Sequence, residues 1–375
     1  MHLRCVPLAL SALVAACSGD VVAPTGGARA DAMNGGGDDD GGGDHADAAP
    51  ILDPGCVQGT FTGFHGDLHD HTSHSFDFDG GASGDPAAAF RIGRQNGLDY
   101  LAVTDHLRTL TAAQHENCKA SASAANQPGT FAAICGYEET TGETPAAHGM
   151  FLFASAIRPD QVGRDGLLAQ EASCDECVGQ FNHPANGTFP WRDLGYDAAA
   201  GPHMHLFELN GAGFDGALAR YVDALDAGWH VGPSWNSDTH LQNWGEGLNR
   251  TVVYASELSR EALKAAMRAH RTAGASDRNA GIVLAANGCW MGSELTGWTS
   301  ADLSVDATDA NSDEGFTRII LIGPGGASFG DFDCGGQQNC SFQQELAVLA
   351  PVWVVAVAAQ LDGSHVVSAP IWFAP

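Results

Sequence analysis

Residues 65–80, HGDLHDHTSHSFDFDG, hold four histidines and four aspartates and no lysine or arginine. Side chains of these types at this density form either a solvated polar loop or a metal centre, and spacing separates the two. His69 and His71 stand two positions apart, so at a strand end both rings share one face. Asp238-x-His240 repeats that geometry. Other apolar runs carry a ligand-type residue at one end: LDYLAVTDH ends in His106, FAAICGYEE in Glu138 or Glu139, HGMFLFA begins at His148, and VGQFNHP carries His183. With an aspartate from the opening stretch, Asp77 or Asp79, the candidate ligand set is His69, His71, Asp77, His106, Glu138, His148, His183, Asp238 and His240. Imidazole and carboxylate together suit Zn, Mn or Fe, whereas Ca²⁺ favours oxygen alone. Nine ligands exceed the needs of one tetrahedral ion, and a bridging carboxylate can hold two ions about 3.5–4 Å apart.

Elements must carry these groups to one place. GDPAAAFRIGRQNG reads as a helix with Asp85 as N-cap, Pro86 at the first helical position and Gly97 just past its end. DGALARYVDALDAG and SREALKAAMRAHRTAG are also amphipathic, the latter capped by Ser259. Short apolar runs alternating with such helices imply parallel βα units. Polar residues gathered at the strand ends then describe a barrel with its active site on that face. Beyond residue 280 the text changes to short strands with turn punctuation, including a hairpin at Asp362-Gly363. The expected organisation is a signal segment over 1–17, a Gly/Asp-rich tether over 18–55, a catalytic barrel over 56–279 and an antiparallel β-sandwich over 280–375.

Taken in order, GDLHDHTSHSFD, GLDYLAVTDH, GYE, HG, FNHP and NSDTH resemble the successive motifs of the PHP (polymerase and histidinol phosphatase) superfamily. The flanking text is similar to exported bacterial PHP-type metallohydrolases, a group that includes carbamate hydrolases. The resemblance implies a distorted (β/α)7 TIM-like barrel with a trinuclear centre. It implies that His69 and His71 share one ion with Asp238 and a bridging Glu138. A second ion would take Glu138, His148 and His183, and a third His106, His240 and residue 77. Many relatives have His where this chain has Asp77, so the third position departs from the pattern. Motif spacing favours Glu138 over Glu139 and Asp77 over Asp79.

The chemistry expected is hydrolysis by activated water with two or three divalent ions as cofactors. A phosphoesterase is the first reading and a carbamate, ester or amide hydrolase the second; a non-enzymatic, ligand-binding surface lipoprotein is the third. Glu138 and Asp238 are the expected catalytic carboxylates, and Asp105, His74 or water the source of a proton for the leaving group. Arg108, just after TDH, is placed to meet a substrate anion, and Asn182 to support substrate or His183. Asp67 would orient a ligating histidine. His203-x-His205 precedes its apolar run, and Trp191, Trp235 and Trp244 fit packing by default.

Composition narrows partners and location. The 375 residues carry a formal net charge of −28 and only two lysines, Lys119 and Lys264. Nucleic-acid backbones need clustered cations, so they are excluded, and a small-molecule substrate is expected. MHLRCVPLALSALVAAC has the basic start and short apolar core of an export signal. LVAAC resembles the lipobox of bacterial lipoproteins, with Cys17 as the lipidated residue, so the expected location is the cell envelope, the membrane touched only through that anchor. The oligomeric state is not legible. Eight cysteines then remain in an oxidising compartment. The simplest pairing is Cys118–Cys135, Cys174–Cys177 and Cys334–Cys340, leaving Cys56 with Cys289.

Overall fold

The computed structural model describes residues 55–160, 162–187, 191, 194–311 and 314–375. The expected signal segment, Cys17 and the tether up to residue 54 lie outside them. Helices start where their caps predict. Asp85 Oδ1 accepts the Ala88 N–H at 2.8 Å and opens α1 (Pro86–Gln95). Thr111 and Gln114 form a reciprocal capping box on α2 (Ala112–Ala125). The helices α3 (Arg164–Glu171), α4 (Gly213–Asp226) and α5 (Arg260–Arg268) follow, with Ser259 capping α5.

Nine strands make the first part of the chain: β1 (Thr62–Asp70), β2 (Tyr100–Val103), β3 (Ala132–Thr140), β4 (His148–Leu152) and β5 (Val178–Asn182) lead. β6 (Met204–Glu208), β7 (Gly232–Ser234), β8 (Arg250–Ala255) and β9 (Thr272–Ala275) complete them. Ten more follow, opening with β10 (Gly281–Ala286), β11 (Cys289–Trp290), β12 (Glu294–Thr296), β13 (Ser300–Thr308) and β14 (Phe316–Ile322). The last are β15 (Ser328–Gln337), β16 (Asn339–Ala347), β17 (Val352–Gln360), β18 (His365–Ser368) and β19 (Ile371–Ala374).

These strands do not build the expected (β/α)7 barrel. β1, β2 and β3 are parallel, with α1 and α2 as their crossovers. The alternation fails at β4, because only residues 141–147 separate it from β3, whereas a parallel crossover needs a dozen or more. β4 therefore runs antiparallel to both β3 and β5, and β8 runs antiparallel to β1. The product is an open, mixed, largely β structure whose main ladder runs β12-β19-β17-β18-β9-β8-β1-β2-β3-β4-β5-β6-β7. The sheet curls until β7 lies beside β9 without a ladder between them. Gly274 permits that approach, since a Cβ there would come within 3.3 Å of the Ser234 backbone. Just past β7, the Trp235 N–H is held to β8 by Thr251 Oγ1 at 3.0 Å.

The C-terminal strands include a second sheet, β11-β10-β13-β16, which is antiparallel. Ala301, Leu303, Val305 and Ala307 alternate inward along β13 and join one apolar core with Ile319, Leu321 and Val354 of the large sheet. The sandwich over 280–375 thus shares its larger sheet with the strands that carry the histidines, and residues 52–375 form one compact unit. All four disulfides pair as expected: Cys56–Cys289, Cys118–Cys135, Cys174–Cys177 and Cys334–Cys340. The hairpin at Asp362-Gly363 joins β17 to β18, with Gly363 at φ 92°. Among the described residues no helix is long and apolar enough to cross a membrane.

Candidate metal centre

β1 delivers His69 into the interior and ends at Asp70, so His71 lies just past the ladder. The loop bearing Asp238 and His240 is laced to it through the backbone. The Asp238 N–H donates to His69 O at 2.9 Å and the His71 N–H to Thr239 O at 3.0 Å. This lacing joins the two x-His motifs that lie far apart in sequence. His106 follows β2, where its N–H donates to Ser75 Oγ at 3.0 Å. His148 opens β4 and His183 follows β5. His183 and Asp238 hold left-handed backbone at φ 30° and 51°, a conformation kept where surrounding contacts enforce it.

Glu138 is the hub. Its carboxylate lies 2.8 Å from His148 Nδ1, 2.9 Å from His106 Nδ1, 3.3 Å from His69 Nε2, 3.4 Å from His183 Nε2 and 3.5 Å from His71 Nε2. Neighbouring residues of a strand face opposite ways, so Glu139 cannot join it. Asp238 Oδ1 lies 3.1 Å from His71 Nε2 and 3.3 Å from His69 Nε2. Asp77 Oδ2 reaches His106 Nε2 at 3.2 Å and His240 Nε2 at 3.3 Å, which distinguishes it from the exposed Asp79. All nine predicted ligand residues therefore converge.

One further residue completes the cluster, and no motif announced it. Glu208, fully buried at the end of β6, meets His69 Nδ1 at 3.1 and 3.2 Å through its two oxygens. It also accepts the His183 N–H at 2.7 Å and the Asn236 amide at 2.9 Å. Its signal in the sequence is an acid closing the run HLFELN, the same pattern that marks Glu138.

Other predicted residues stand behind the cluster. Asp105 accepts the Thr72 N–H and hydroxyl, each at 2.7 Å, and the Ser75 hydroxyl at 2.9 Å. Ser75 in turn lies 3.0 Å from His71 Nδ1, so Asp105 acts on the centre through Ser75. Buried Asn182 donates to Glu138 Oε1 at 2.9 Å and accepts from Gln180, which places it on the hub. Asp67 accepts the His69 N–H at 3.2 Å and the Ser237 N–H at 3.1 Å. Trp191 and Trp244 are buried, their indoles donating to the carbonyls of His148 and His71. Arg108 is exposed at the rim, its guanidinium 5.9 Å from the Phe76 ring centre, and that ring lies 5.3 Å from His106. His205 is buried in β6 beside His270, outside the cluster.

The electrostatics call for positive charge. Burial alone would lower His69, yet Asp238, Glu208 and Glu138 raise it well above the ordinary imidazole value. His106 is raised to about 10 against its burial by Glu138 and Asp77. Burial would raise Glu138, but His148, His69 and His106 hold it well below the carboxylate range. His71 is lowered to about 4, mainly by burial. Protons on several rings thus balance the carboxylates, and bound cations would balance them equally.

The donor set fits divalent ions. His106 Nδ1 and Glu138 Oε2 face each other at 2.9 Å without the alignment of a hydrogen bond, and the buried His240 Nε2 likewise lacks one. Donor atoms close enough to share an ion form the sets His71–His106–His240, His69–His71–Glu138, His69–His183–Asp238 and His106–Glu138–His148.

No family model matches the chain, and no curated protein matches it. Among solved structures, PsfC from Pseudomonas syringae aligns at TM-score 0.38 with 15% identity, over 51% of this chain and 82% of that one. An engineered protein aligns at TM-score 0.19 with 9% identity, over 74% of this chain and 49% of its own. Likenesses this distant define neither fold nor function.

Proposed function

We propose that the protein is an exported, metal-dependent hydrolase of the PHP type, acting first as a phosphoesterase on a small-molecule substrate. One observation carries this reading: five imidazoles lie within 3.5 Å of the single buried carboxylate of Glu138. A cluster costing this much desolvation is retained for chemistry more readily than for stability. The order of the motifs along the chain, that of PHP hydrolases, supports the same reading.

Two or three ions of the Zn, Mn or Fe class would be held by the nine ligands, supplying acidified water and polarisation of a phosphoryl or carbonyl oxygen. The chain's own groups do the rest. Glu138 and Asp238 both reach the Nε2 atoms of His69 and His71, and Glu208 holds His69 by its Nδ1 edge. Arg108 at the rim would pair with a substrate anion. Asp105 holds Ser75 and Thr72, leaving the leaving-group proton to water or His74. Carbamate or ester hydrolysis is a second reading, favoured by the exposed Phe76 and Leu241 beside ligands Asp77 and His240, which suit an apolar substrate portion. Four disulfides are consistent with export, and lipidation at Cys17 would tether the enzyme to the envelope.

The test is to measure bound metal in the full chain and assay phosphomonoesters, phosphodiesters, aryl esters and carbamates after Mn²⁺ or Zn²⁺ supplementation. We expect at least two ions per chain, turnover of one class, and its loss in His69→Ala with the circular-dichroism spectrum unchanged. Fewer than two ions and no turnover would defeat the hydrolase reading.

A further inference from the structure

On another part of the surface lies a cleft that the metal centre does not use. It has a volume of about 430 Å³, between α2 and α5, over the ends of β3 and β4. Its apolar lining is the half-buried Phe153, backed by the buried Ala122 and Ile134. Its walls carry Lys119, Arg260 and Lys264, with the Ser123 and Ser155 hydroxyls between them. The chain has 45 acids against 17 lysines and arginines, and both of its lysines line this one cleft.

The cations are arranged. Arg260, Lys264 and Arg268 recur every fourth residue along α5 and so share one face. Arg268 is committed to the Asp175 and Cys177 carbonyls. Lys264 stands over the Phe153 ring with Nζ 5.2 Å from its centre, a cation–π placement. Lys119 is held across the cleft by the Ser155 carbonyl and Glu116, both at 2.6 Å. Glu261 also lines the cleft and Glu116 pairs with Lys119, so three cations oppose two acids there. Phe153, whose ring lines the cleft, has φ 63°, an outlier for a bulky residue.

We propose that this cleft binds a small anionic amphiphile, its apolar body on the Phe153 ring and its acidic head between Lys119, Lys264 and Arg260. Such a volume is in the range of small-molecule sites, and a mostly apolar floor with a few convergent charges is their usual make-up. The head group, carboxylate or phosphate, is the shared chemistry. A free molecule and a lipid headgroup are its two sources.

The experiment is calorimetric titration of the full chain with octanoate, octanol and inorganic phosphate, and flotation with vesicles of anionic phospholipid. Saturable binding of octanoate but not octanol is expected, weakened about tenfold or more in Lys264→Gln and in Lys119→Ala and restored in Lys264→Arg. His69→Ala should bind octanoate as the parent does. Binding to vesicles with the same lysine dependence would assign the head to a lipid, and binding to octanoate alone to a free ligand. Equal binding of octanol, binding unchanged by either lysine substitution, or loss of binding in His69→Ala would each overturn the proposal.

Discussion

Glu208 holds the Nδ1 edge of His69 at 3.1 and 3.2 Å, and that contact decides which nitrogen of the ring faces Glu138 and Asp238. With an ion bound, the His69 Nδ1–H would donate to the carboxylate and Nε2 would offer its lone pair to the cluster. Carboxylate–histidine pairs of this kind fix the tautomer and raise ligand basicity. Glu208→Gln should therefore weaken metal affinity about 10–100-fold without unfolding the chain. Competition with a chromophoric chelator measures it. An unchanged affinity would show that Glu208 serves packing alone.

Asp77 joins His106 to His240, and among the described residues no other carboxylate outside Glu138 and Asp238 lies within 4.0 Å of either ring. Asp77→Ala should remove about one ion per chain while leaving those held by His69, His71 and His183 in place. Elemental analysis of parent and variant checks it. Equal metal content in both would confine Asp77 to orienting the two rings.

Glu171 at the end of α3 is fully buried, and among the described residues neither carboxyl oxygen has a hydrogen-bond partner. Burial pushes its pKa well above the ordinary 4.5. The folded state then binds a proton that the unfolded state releases. The stability this proton supplies is complete below about pH 4.5 and is lost as pH rises toward the raised value. Glu171→Met, similar in volume and free of charge, should stabilise the fold at pH 8 by about 1–3 kcal/mol, with the gain shrinking at pH 5. Urea melts at the two pH values decide it, and an equal gain at both would place the carboxyl in water.

Most of the nine candidate ligands were legible because they sit at or just past an end of a short apolar run, and strand ends are where a sheet presents polar groups. Helix starts at Asp85 and Ser259 were legible for the same local reason, since an N-cap bonds only two or three residues ahead. Glu208 was not legible, although it too closes an apolar run, because facing inward depends on the register of β6 against β5 and β7. Asp105 and Asn182 stood beside ligands in the chain, yet their side chains turn to Ser75 and to Glu138.

The sequence by itself determined the ligand-type residues of the cluster and the local caps, which depend on residue type and on neighbours close in the chain, and by elimination the cysteine pairing. Only the tertiary structure decided how the strands are joined. The short link from Thr140 to His148 forces β4 to reverse, so an expected parallel barrel becomes an open mixed sheet. Strand direction is set by connection length and long-range pairing, and alternating apolar runs read the same in either direction. The same ligands therefore converge through a different architecture, with the backbone lacing of His69 and His71 to residues 238 and 239 bringing the two halves of the site together.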